Sequence, residues 1–183
     1  MHMKAVIMAA GKSTRTYPLT LTRPKPLLKV ANRPILAHQL DALRPLVREV
    51  LLVVGYRQEM VRAAFGTEYE GLKLTYVEQT EQRGTGHAVL QCAGLLDEPF
   101  LVLNGDDLYD PGDLARLAEA GDAALAKTVP NPALYGIYEV ADGGRVVRLV
   151  EKPKEVFSNL ANIGAYRFSP EVFPVLEGLA PSE

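Results

Sequence analysis

The 183-residue chain contains one cysteine, no tryptophan, three histidines and no long apolar run. Because Cys92 is alone, an intramolecular disulfide and a metal site built from several cysteines are both excluded. The histidines are far apart in the sequence, which disfavours a zinc site. No apolar stretch approaches the roughly 18 residues of a membrane span, and the start does not resemble a signal peptide. We therefore expect a cytoplasmic globular protein without a membrane partner.

An excess of one charge is also lacking, since 20 lysines and arginines stand against 22 aspartates and glutamates. A net charge of -2 does not suit a protein that binds nucleic acid through a basic surface. We expect no nucleic-acid partner, and basic side chains that matter should act locally on a small anionic ligand. The sequence leaves the oligomeric state open, a homo-oligomer included.

Short apolar runs alternate with helical patterns from residue 4 to about residue 128. Residues 4–9 (KAVIMA) and 49–54 (EVLLVV) are typical of buried parallel strands, and the apolar spacing predicts a helix over 35–47. Further along, residues 135–140 and 145–150 are joined by a glycine pair, which indicates a β-hairpin. The sequence predicts an α/β layered fold with a mostly parallel sheet, followed by a β-rich portion.

Four residues of interest fall near the carboxyl ends of predicted strands, namely Gly11, Gly55, Gln79 and Asp106. Ligands of open α/β sheets bind in a crevice beyond these strand ends. We therefore expect the four positions to border one shared crevice.

The loop that follows the first strand reads AAGKSTRTYPL over residues 9–19 and looks like a phosphate-binding loop. A Walker A loop would need glycine where Val6 stands, and the glycines of a dinucleotide fingerprint are absent. Gly11 would let the backbone approach a base or phosphate closely, and Arg15 can bind phosphate oxygens with two hydrogen bonds. A solvated basic loop between strand and helix explains this stretch equally well.

Prolines shape the remainder of this loop. Pro18, Pro24 and Pro26 predict an extended rather than helical backbone. The prolines on either side of Lys25 restrict where its side chain points, which favours a functional role, although prolines also stabilise loops.

The stretch 79–87 (QTEQRGTGH) lies at a predicted strand-to-helix junction. Its glycines would leave backbone N–H groups available to a ligand rich in acceptors. Gln79 and Gln82 each carry a donor and an acceptor, as recognition of a pyrimidine edge requires. Taken alone, a helix start capped by Thr85 is the simpler interpretation.

Carboxylates follow the strand that ends near residue 103. A carboxylate at a strand end in a phosphate-binding crevice suits Mg²⁺, which prefers one or two carboxylates together with substrate phosphates. A simple turn would also suit Asn104-Gly105-Asp106. The apolar run before it favours a metal ligand, and we choose Asp106 over Asp107.

Read together, seven ordered motifs resemble the sugar-1-phosphate nucleotidylyltransferases, of the hexose-1-phosphate uridylyl- and thymidylyltransferase type. They span residues 4 to about 168, and their order is far more specific than any one of them. The motifs are Ala9-Ala10-Gly11-x-x-Thr14-Arg15-x-x-Pro18, Pro24-Lys25-Pro26-Leu27-Leu28, Gln79…Gly84-Thr85-Gly86-His87-Ala88, Asn104-Gly105-Asp106, Tyr135-Gly136, Glu151-Lys152-Pro153 and Asn162-x-Gly164.

The resemblance implies a Rossmann-like three-layer nucleotide-binding fold with a β-rich sugar-binding portion. We expect one domain over 1–183, with residues 3–128 mainly contacting nucleotide and residues 129–183 mainly contacting sugar phosphate. The implied reaction joins an NTP, preferably UTP or dTTP, to glucose 1-phosphate or N-acetylglucosamine 1-phosphate, with release of pyrophosphate. Mg²⁺ is the implied cofactor, bound at Asp106.

Carried over position by position, the resemblance implies three groups of site residues. The catalytic group is Arg15, Lys25 and Asp106. The nucleotide-binding group is Ala10, Gly11, Ser13, Thr14, Gln79, Gln82, Gly84 and Thr85. The sugar-phosphate-binding group is Gly136, Glu151, Lys152 and Asn162.

The chain departs from the family pattern in two respects. Ser13 stands where the family usually has glycine, and the second metal-binding aspartate of the family is absent. We therefore expect a chain that lacks a C-terminal part. A cytidylyltransferase for another phosphorylated acceptor, such as phosphocholine, would need an aromatic or acidic cage for the quaternary ammonium, and the chain has no tryptophan to build one. A non-catalytic sensing subunit is disfavoured because Arg15, Lys25 and Asp106 are all present.

Overall fold

The computed structural model describes residues 3–81 and 83–178, with the exception of the Arg15 side chain. The α-helices are α1 (Ile35–Leu43), α2 (Gln58–Phe65), α3 (Thr85–Leu90), α4 (Pro111–Glu119) and α5 (Val172–Glu177). The strands are β1 (Lys4–Met8), β2 (Lys29–Val30), β3 (Arg33–Pro34), β4 (Glu49–Val54), β5 (Glu68–Tyr69), β6 (Leu72–Glu78), β7 (Phe100–Asn104), β8 (Ala123–Thr128), β9 (Gly136–Val140), β10 (Val146–Glu151) and β11 (Leu160–Phe168). Within this described part, no helix has the length and apolar character needed to cross a membrane.

The chain forms two compact units. The first unit contains residues 3–123 and 166–178, and the second contains residues 124–165. In the first unit the sheet order is β7-β1-β4-β6-β5, in which β7, β1, β4 and β6 are parallel and β5 is antiparallel to β6. The predicted α/β fold with a mostly parallel sheet is confirmed.

The strands of the first unit are apolar because both faces of the sheet are covered. Val6 belongs to a cluster with Val89 of α3 and Phe173 of α5, which lie on one face. Its neighbours Ala5 and Ile7 point to the opposite face and are also fully buried. A strand buried on both faces reads as a continuous apolar run, and a three-layer arrangement results.

Two local predictions need correction. The helix predicted over 35–47 ends at Leu43, because Pro45 has no N–H group to continue the helical hydrogen bonds. The loop predicted to be extended contains single 3-10 turns at Thr14–Thr16 and Lys25–Leu27. Pro26 lies inside the second turn, since the fixed proline φ is compatible with 3-10 geometry.

The second unit is built from antiparallel strands. β9 and β10 form the predicted hairpin, with Gly136 opposite Glu151, and β11 lies antiparallel to β9. Gly143 and Gly144 make the turn with φ angles of 76° and 79°, a conformation that glycine adopts without steric cost. β8 pairs with β11.

Candidate active site

A cavity of about 440 Å³ opens in the first unit at the carboxyl ends of the parallel strands. Residues that follow β1, β6 and β7 line it, as the predicted crevice requires. Gly55, also predicted there, is not among the residues that line the cavity. It packs so closely against the loop that follows β1 that an added β-carbon would lie 3.0 Å from the Ala10 carbonyl oxygen. The predicted site residues on the cavity wall are Ala10, Gly11, Ser13, Lys25, Gln79, Gly84, Thr85 and Asp106.

The loop that follows β1 over residues 9–21, the glycine loop, turns sharply after Gly11. Ser13 has φ 51° and ψ 49°, in the left-handed region, and its carbonyl oxygen accepts hydrogen bonds from Thr16 Oγ1 at 2.7 Å and Thr20 Oγ1 at 2.9 Å. Thr20 is fully buried. Thr14 lies in the adjacent 3-10 turn and is exposed rather than on the cavity wall.

Two predicted ligand-binding side chains, those of Arg15 and Gln82, lie outside the described part of the structure. The backbone of Arg15 lies in the 3-10 turn Thr14–Thr16, but its side chain is outside the described part of the structure. Gln82 also lies outside the described residues. Their predicted roles remain predictions.

Lys25 and Asp106 meet on the cavity wall although they are 81 positions apart in the sequence. The Lys25 Nζ group donates a hydrogen bond to Asp106 Oδ2 and forms an ion pair with it. Pro26, next to Lys25, is buried, so the backbone that carries the lysine is anchored. The pair therefore places one cation and one anion side by side at the cavity.

The loop Asn104–Asp107 is held tightly against β1. The Gly105 N–H group donates to the Met8 carbonyl oxygen at 3.0 Å, and a β-carbon on Gly105 would lie 2.5 Å from that oxygen. Asp107 points its carboxylate to the Asn104 side-chain amide and does not line the cavity. Loss of solvent contact and the adjacent Asp106 charge raise the pKa of Asp107. The geometry thus leaves Asp106 as the carboxylate that faces the cavity.

Gln39 supports this loop and was missed in the sequence. It is 2% exposed, and its Nε2 group donates to the carbonyl oxygens of Asn104 and Asp107, at 2.7 Å each. A signal was available, because Gln39 interrupts the apolar stripe of α1 between Leu36 and Leu43.

The start of α3 forms another wall of the cavity. Gly84 is the N-cap with φ 98°, so the anticipated Thr85 cap is not present and Thr85 is the first helical residue. Gln79 is 5% exposed, and its Nε2 group contacts the Gly84 carbonyl oxygen at 3.3 Å and His87 Nδ1 at 3.0 Å. Gln79, which was predicted to bind the nucleotide, therefore also stabilises the start of α3.

The sequence analysis also did not identify Tyr56 and Arg57 as residues that support the site. The Tyr56 hydroxyl donates to the carbonyl oxygens of Thr20 and Leu21, at 3.2 and 3.3 Å, and the Arg57 guanidinium donates to Leu21 at 3.2 Å. The Tyr56 N–H group donates to the Ala10 carbonyl oxygen at 3.2 Å. The turn after β4 therefore ties down both ends of the glycine loop.

In the second unit, three of the four predicted sugar-phosphate residues lie together. A β-carbon on Gly136 would lie 2.8 Å from Glu151 Oε2 and 3.8 Å from the Asn162 β-carbon. Asn162 Oδ1 accepts hydrogen bonds from the Tyr138 hydroxyl at 3.0 Å and the Gly164 N–H group at 2.9 Å. Lys152 follows Glu151 with a left-handed φ of 43°.

The metal chemistry of the site depends on a small donor set. Among residues 3–81 and 83–178, no three His, Cys, Asp or Glu side chains cluster as metal ligands. Mg²⁺ commonly binds through one or two carboxylates and completes its shell with water and substrate phosphates. Asp106 on the cavity wall suits that mode of binding. The described residues do not offer the donor set that would hold a metal by protein side chains alone.

Similar proteins are known over nearly the whole length of the chain. The nucleotidyl transferase family model matches residues 4–183. The chain is 40% identical over 183 residues to the bifunctional protein GlmU of Methanococcus maripaludis, a match that covers 99% of this chain and 44% of GlmU. It is 37% identical over 188 residues to the UTP–glucose-1-phosphate uridylyltransferase AglF of Haloferax volcanii, which covers 98% of this chain and 77% of AglF.

A solved structure of UDP-glucose pyrophosphorylase complexed with UDP-glucose has the same fold, with a TM-score of 0.90 and 26% identity. The alignment covers 100% of this chain and 81% of that protein. The chain spans less than half the length of the GlmU relatives that it matches. The resemblance seen in the sequence is confirmed, and the chain belongs to the nucleotidyl transferase family.

Proposed function

We propose that the protein transfers a nucleotidyl group from an NTP to a sugar 1-phosphate and releases pyrophosphate. The observation that carries this proposal is the meeting of Lys25 and Asp106 on a cavity whose other walls are a glycine loop and a helix start. UTP or dTTP is the preferred donor, and glucose 1-phosphate or N-acetylglucosamine 1-phosphate the preferred acceptor. The glucose-1-phosphate uridylyltransferase activity in the name of AglF supports this choice.

In the proposed reaction, a phosphate oxygen of the sugar 1-phosphate attacks the α-phosphorus of the NTP in line. A new P–O bond forms, the bond to the bridging oxygen breaks, and pyrophosphate leaves with the electron pair. The attacking phosphate is already ionised, so no general base is needed. The obstacle is repulsion between two anions, and positioned cations lower it. Lys25 and Arg15 would neutralise the phosphates.

Mg²⁺ would be held by Asp106 together with substrate phosphates, and it would supply further neutralisation of the triphosphate charge. The Asp106 carboxylate pairs with Lys25 in the structure, so the proposed metal ligand and a proposed phosphate-neutralising cation lie side by side.

We assign sugar-phosphate binding to Gly136, Glu151, Lys152 and Asn162. A carboxylate and an amide can bond sugar hydroxyls, and a lysine can bond the phosphate. Gly136 supports this assignment because a side chain there would collide with the Glu151 carboxylate. The remaining nucleotide contacts are assigned to Ala10, Gly11, Ser13, Thr14, Gln79, Gln82, Gly84 and Thr85.

The test is a pyrophosphate-release assay on the full-length protein with Mg²⁺, all common NTPs and a panel of hexose 1-phosphates. We expect release with UTP or dTTP and with glucose 1-phosphate or N-acetylglucosamine 1-phosphate. Absence of release across the whole panel would overturn the proposal.

Replacement of the proposed metal ligand provides a second test. Asp106→Asn keeps the size of the side chain but removes its charge, so we expect kcat to fall roughly 10²- to 10³-fold. Nucleotide binding, measured by calorimetry, should change far less. Asp107→Asn is the matched control, because Asp107 does not line the cavity. Wild-type kcat in Asp106→Asn would exclude Asp106 as the metal ligand.

A further inference from the structure

We propose that Gln39 is the positioning residue that orients Asp106 for catalysis, an inference that rests on the proposed function. Gln39 belongs to α1, and its side chain donates hydrogen bonds to main-chain carbonyl oxygens of the loop Asn104–Asp107, the aspartate loop. Its role is to fix the direction of the Asp106 carboxylate relative to Lys25.

The contacts of Gln39 bracket Asp106 on both sides. One amide nitrogen donates to the carbonyl oxygen of Asn104, two residues before Asp106, and to that of Asp107, the residue after it. Both distances are 2.7 Å, at the short end for N–H···O bonds. Because an amide nitrogen has two hydrogens, each carbonyl oxygen receives its own donor.

The burial of Gln39 indicates that the polar side chain has a specific role at this position. Its side chain lies among apolar neighbours of α1, and within the described structure its Oε1 atom has no hydrogen-bond partner. An unpartnered buried carbonyl oxygen costs stability, and an apolar residue at this helix position would avoid that cost. The two donated bonds are therefore what the glutamine contributes.

The segment from Lys25 to Gln39 contacts the aspartate loop at both of its ends. Lys25 begins the segment and binds the Asp106 carboxylate, whereas Gln39 ends it and binds the main chain around Asp106. Hydrogen bonds from Leu28 to Lys25 and from Ile35 to Leu28, both 2.9 Å, connect the two ends. One hydrogen-bonded segment of the chain thus positions both Lys25 and the main chain around Asp106.

Gln39→Met tests this role, because methionine has a similar length and volume but no donor. Leu40→Met is the matched control, since Leu40 is a fully buried neighbour on α1 and receives the same replacement. Gln39→Glu adds a carboxylate that would face the two carbonyl oxygens. Each full-length variant is assayed for kcat, for the KM of the NTP and for the Mg²⁺ concentration that gives half-maximal rate.

Direct measurements without turnover complete the experiment. Binding of Mn²⁺ in the presence of NTP is followed by electron paramagnetic resonance, and hydrogen–deuterium exchange is followed over residues 104–107. For Gln39→Met we expect kcat to fall about 10- to 100-fold, weaker Mn²⁺ binding and faster exchange of the loop. The KM of the NTP should be nearly unchanged, and Leu40→Met should behave as wild type.

The outcomes separate this role from simple stabilisation and from the proposed function. If Gln39→Met unfolds more easily but keeps the wild-type kcat, Mg²⁺ requirement and Mn²⁺ affinity, Gln39 is structural and the inference is overturned. If the wild-type protein itself releases no pyrophosphate, it is the proposed function that fails. A loss of kcat and metal affinity in both Gln39 variants, but not in Leu40→Met, supports the inference.

Discussion

At the scale of single residues, backbone conformation limits which side chains the site tolerates. Ser13 adopts a left-handed conformation, with φ 51° and ψ 49°. Left-handed geometry costs a residue with a β-carbon about 1–2 kcal/mol. The carbonyl oxygen of Ser13 is held there by bonds from Thr16 and Thr20, so tertiary contacts impose the conformation.

Ser13→Gly should therefore retain the turn at a lower steric cost. Part of the gain is offset by the greater freedom of glycine in the unfolded chain, so we expect an increase in the free energy of unfolding of at most about 1 kcal/mol. Urea denaturation measures this change, with Ser13→Ala as the control that keeps the β-carbon. A Gly variant less stable than the Ala variant would contradict the explanation.

Gly105 is restricted by space rather than by φ. In Gly105→Ala, the new methyl group would lie 2.5 Å from the Met8 carbonyl oxygen, so β1 and the Asp106 loop must separate. We expect a loss of stability of about 1–3 kcal/mol together with lower kcat. Gly121→Ala is the control, since a β-carbon there meets no atom within 4 Å. Equal thermal stability of the two variants would contradict the predicted collision.

At the scale of elements, the turn after β4 holds the loop that carries Arg15 and Lys25. The Tyr56 hydroxyl and the Arg57 guanidinium bond the main chain near residue 21. Arg57 has a left-handed φ of 52°, and that conformation is retained although it is costly for a side chain. The two side chains add long-range hydrogen bonds to a loop whose helical structure is limited to short 3-10 turns at Thr14–Thr16 and Lys25–Leu27.

Tyr56→Phe should loosen this loop without changing the core. Removal of the hydroxyl loses hydrogen bonds to two carbonyl oxygens, worth about 1 kcal/mol in the free energy of unfolding. We expect faster hydrogen–deuterium exchange over residues 19–23 and reduced kcat. Tyr76→Phe is the control, because the Tyr76 hydroxyl bonds a carbonyl oxygen elsewhere, at Gly66. Unchanged exchange over 19–23 would show that Tyr56 does not restrain the loop.

At the scale of the whole sheet, the two ends of the parallel strands in the first unit have different tasks. The carboxyl ends border the cavity, and the amino ends carry a row of charges. Glu49 lies between Lys4 and Lys73 in register and accepts a hydrogen bond from Thr75 at 2.6 Å. Burial alone would raise the pKa of Glu49, but the bonds from Thr75 and Lys73 and the Lys4 charge outweigh it and lower the pKa.

Glu49→Gln should destabilise the protein in a pH-dependent manner. A carboxylate with a lowered pKa stabilises the fold above its unfolded-state pKa of about 4.3, and that contribution is lost as the pH falls through the folded-state pKa. We expect a difference from wild type of about 1–2 kcal/mol at neutral pH that shrinks below about pH 4. Urea denaturation at several pH values measures it, and a difference independent of pH would contradict this origin.

The sequence by itself determined the central strands, one hairpin, the class of fold and the family. β1, β4 and β7 could be located because strands buried on both faces are continuously apolar, a property of neighbouring residues. The hairpin of the second unit could be located because its glycine pair permits positive φ angles. These features depend on local chemistry, which a linear sequence displays directly.

Only the tertiary structure decided which residues support the site. Gln39 contacts carbonyl oxygens 65 and 68 positions away, and Gly105 must be glycine because β1 passes next to it. Such contacts depend on how helices and strands pack, and the order of residues along the chain does not encode those distances locally. The sequence therefore singled out Asp106 and Lys25 as candidates, whereas the fold brought them together and revealed what holds them there.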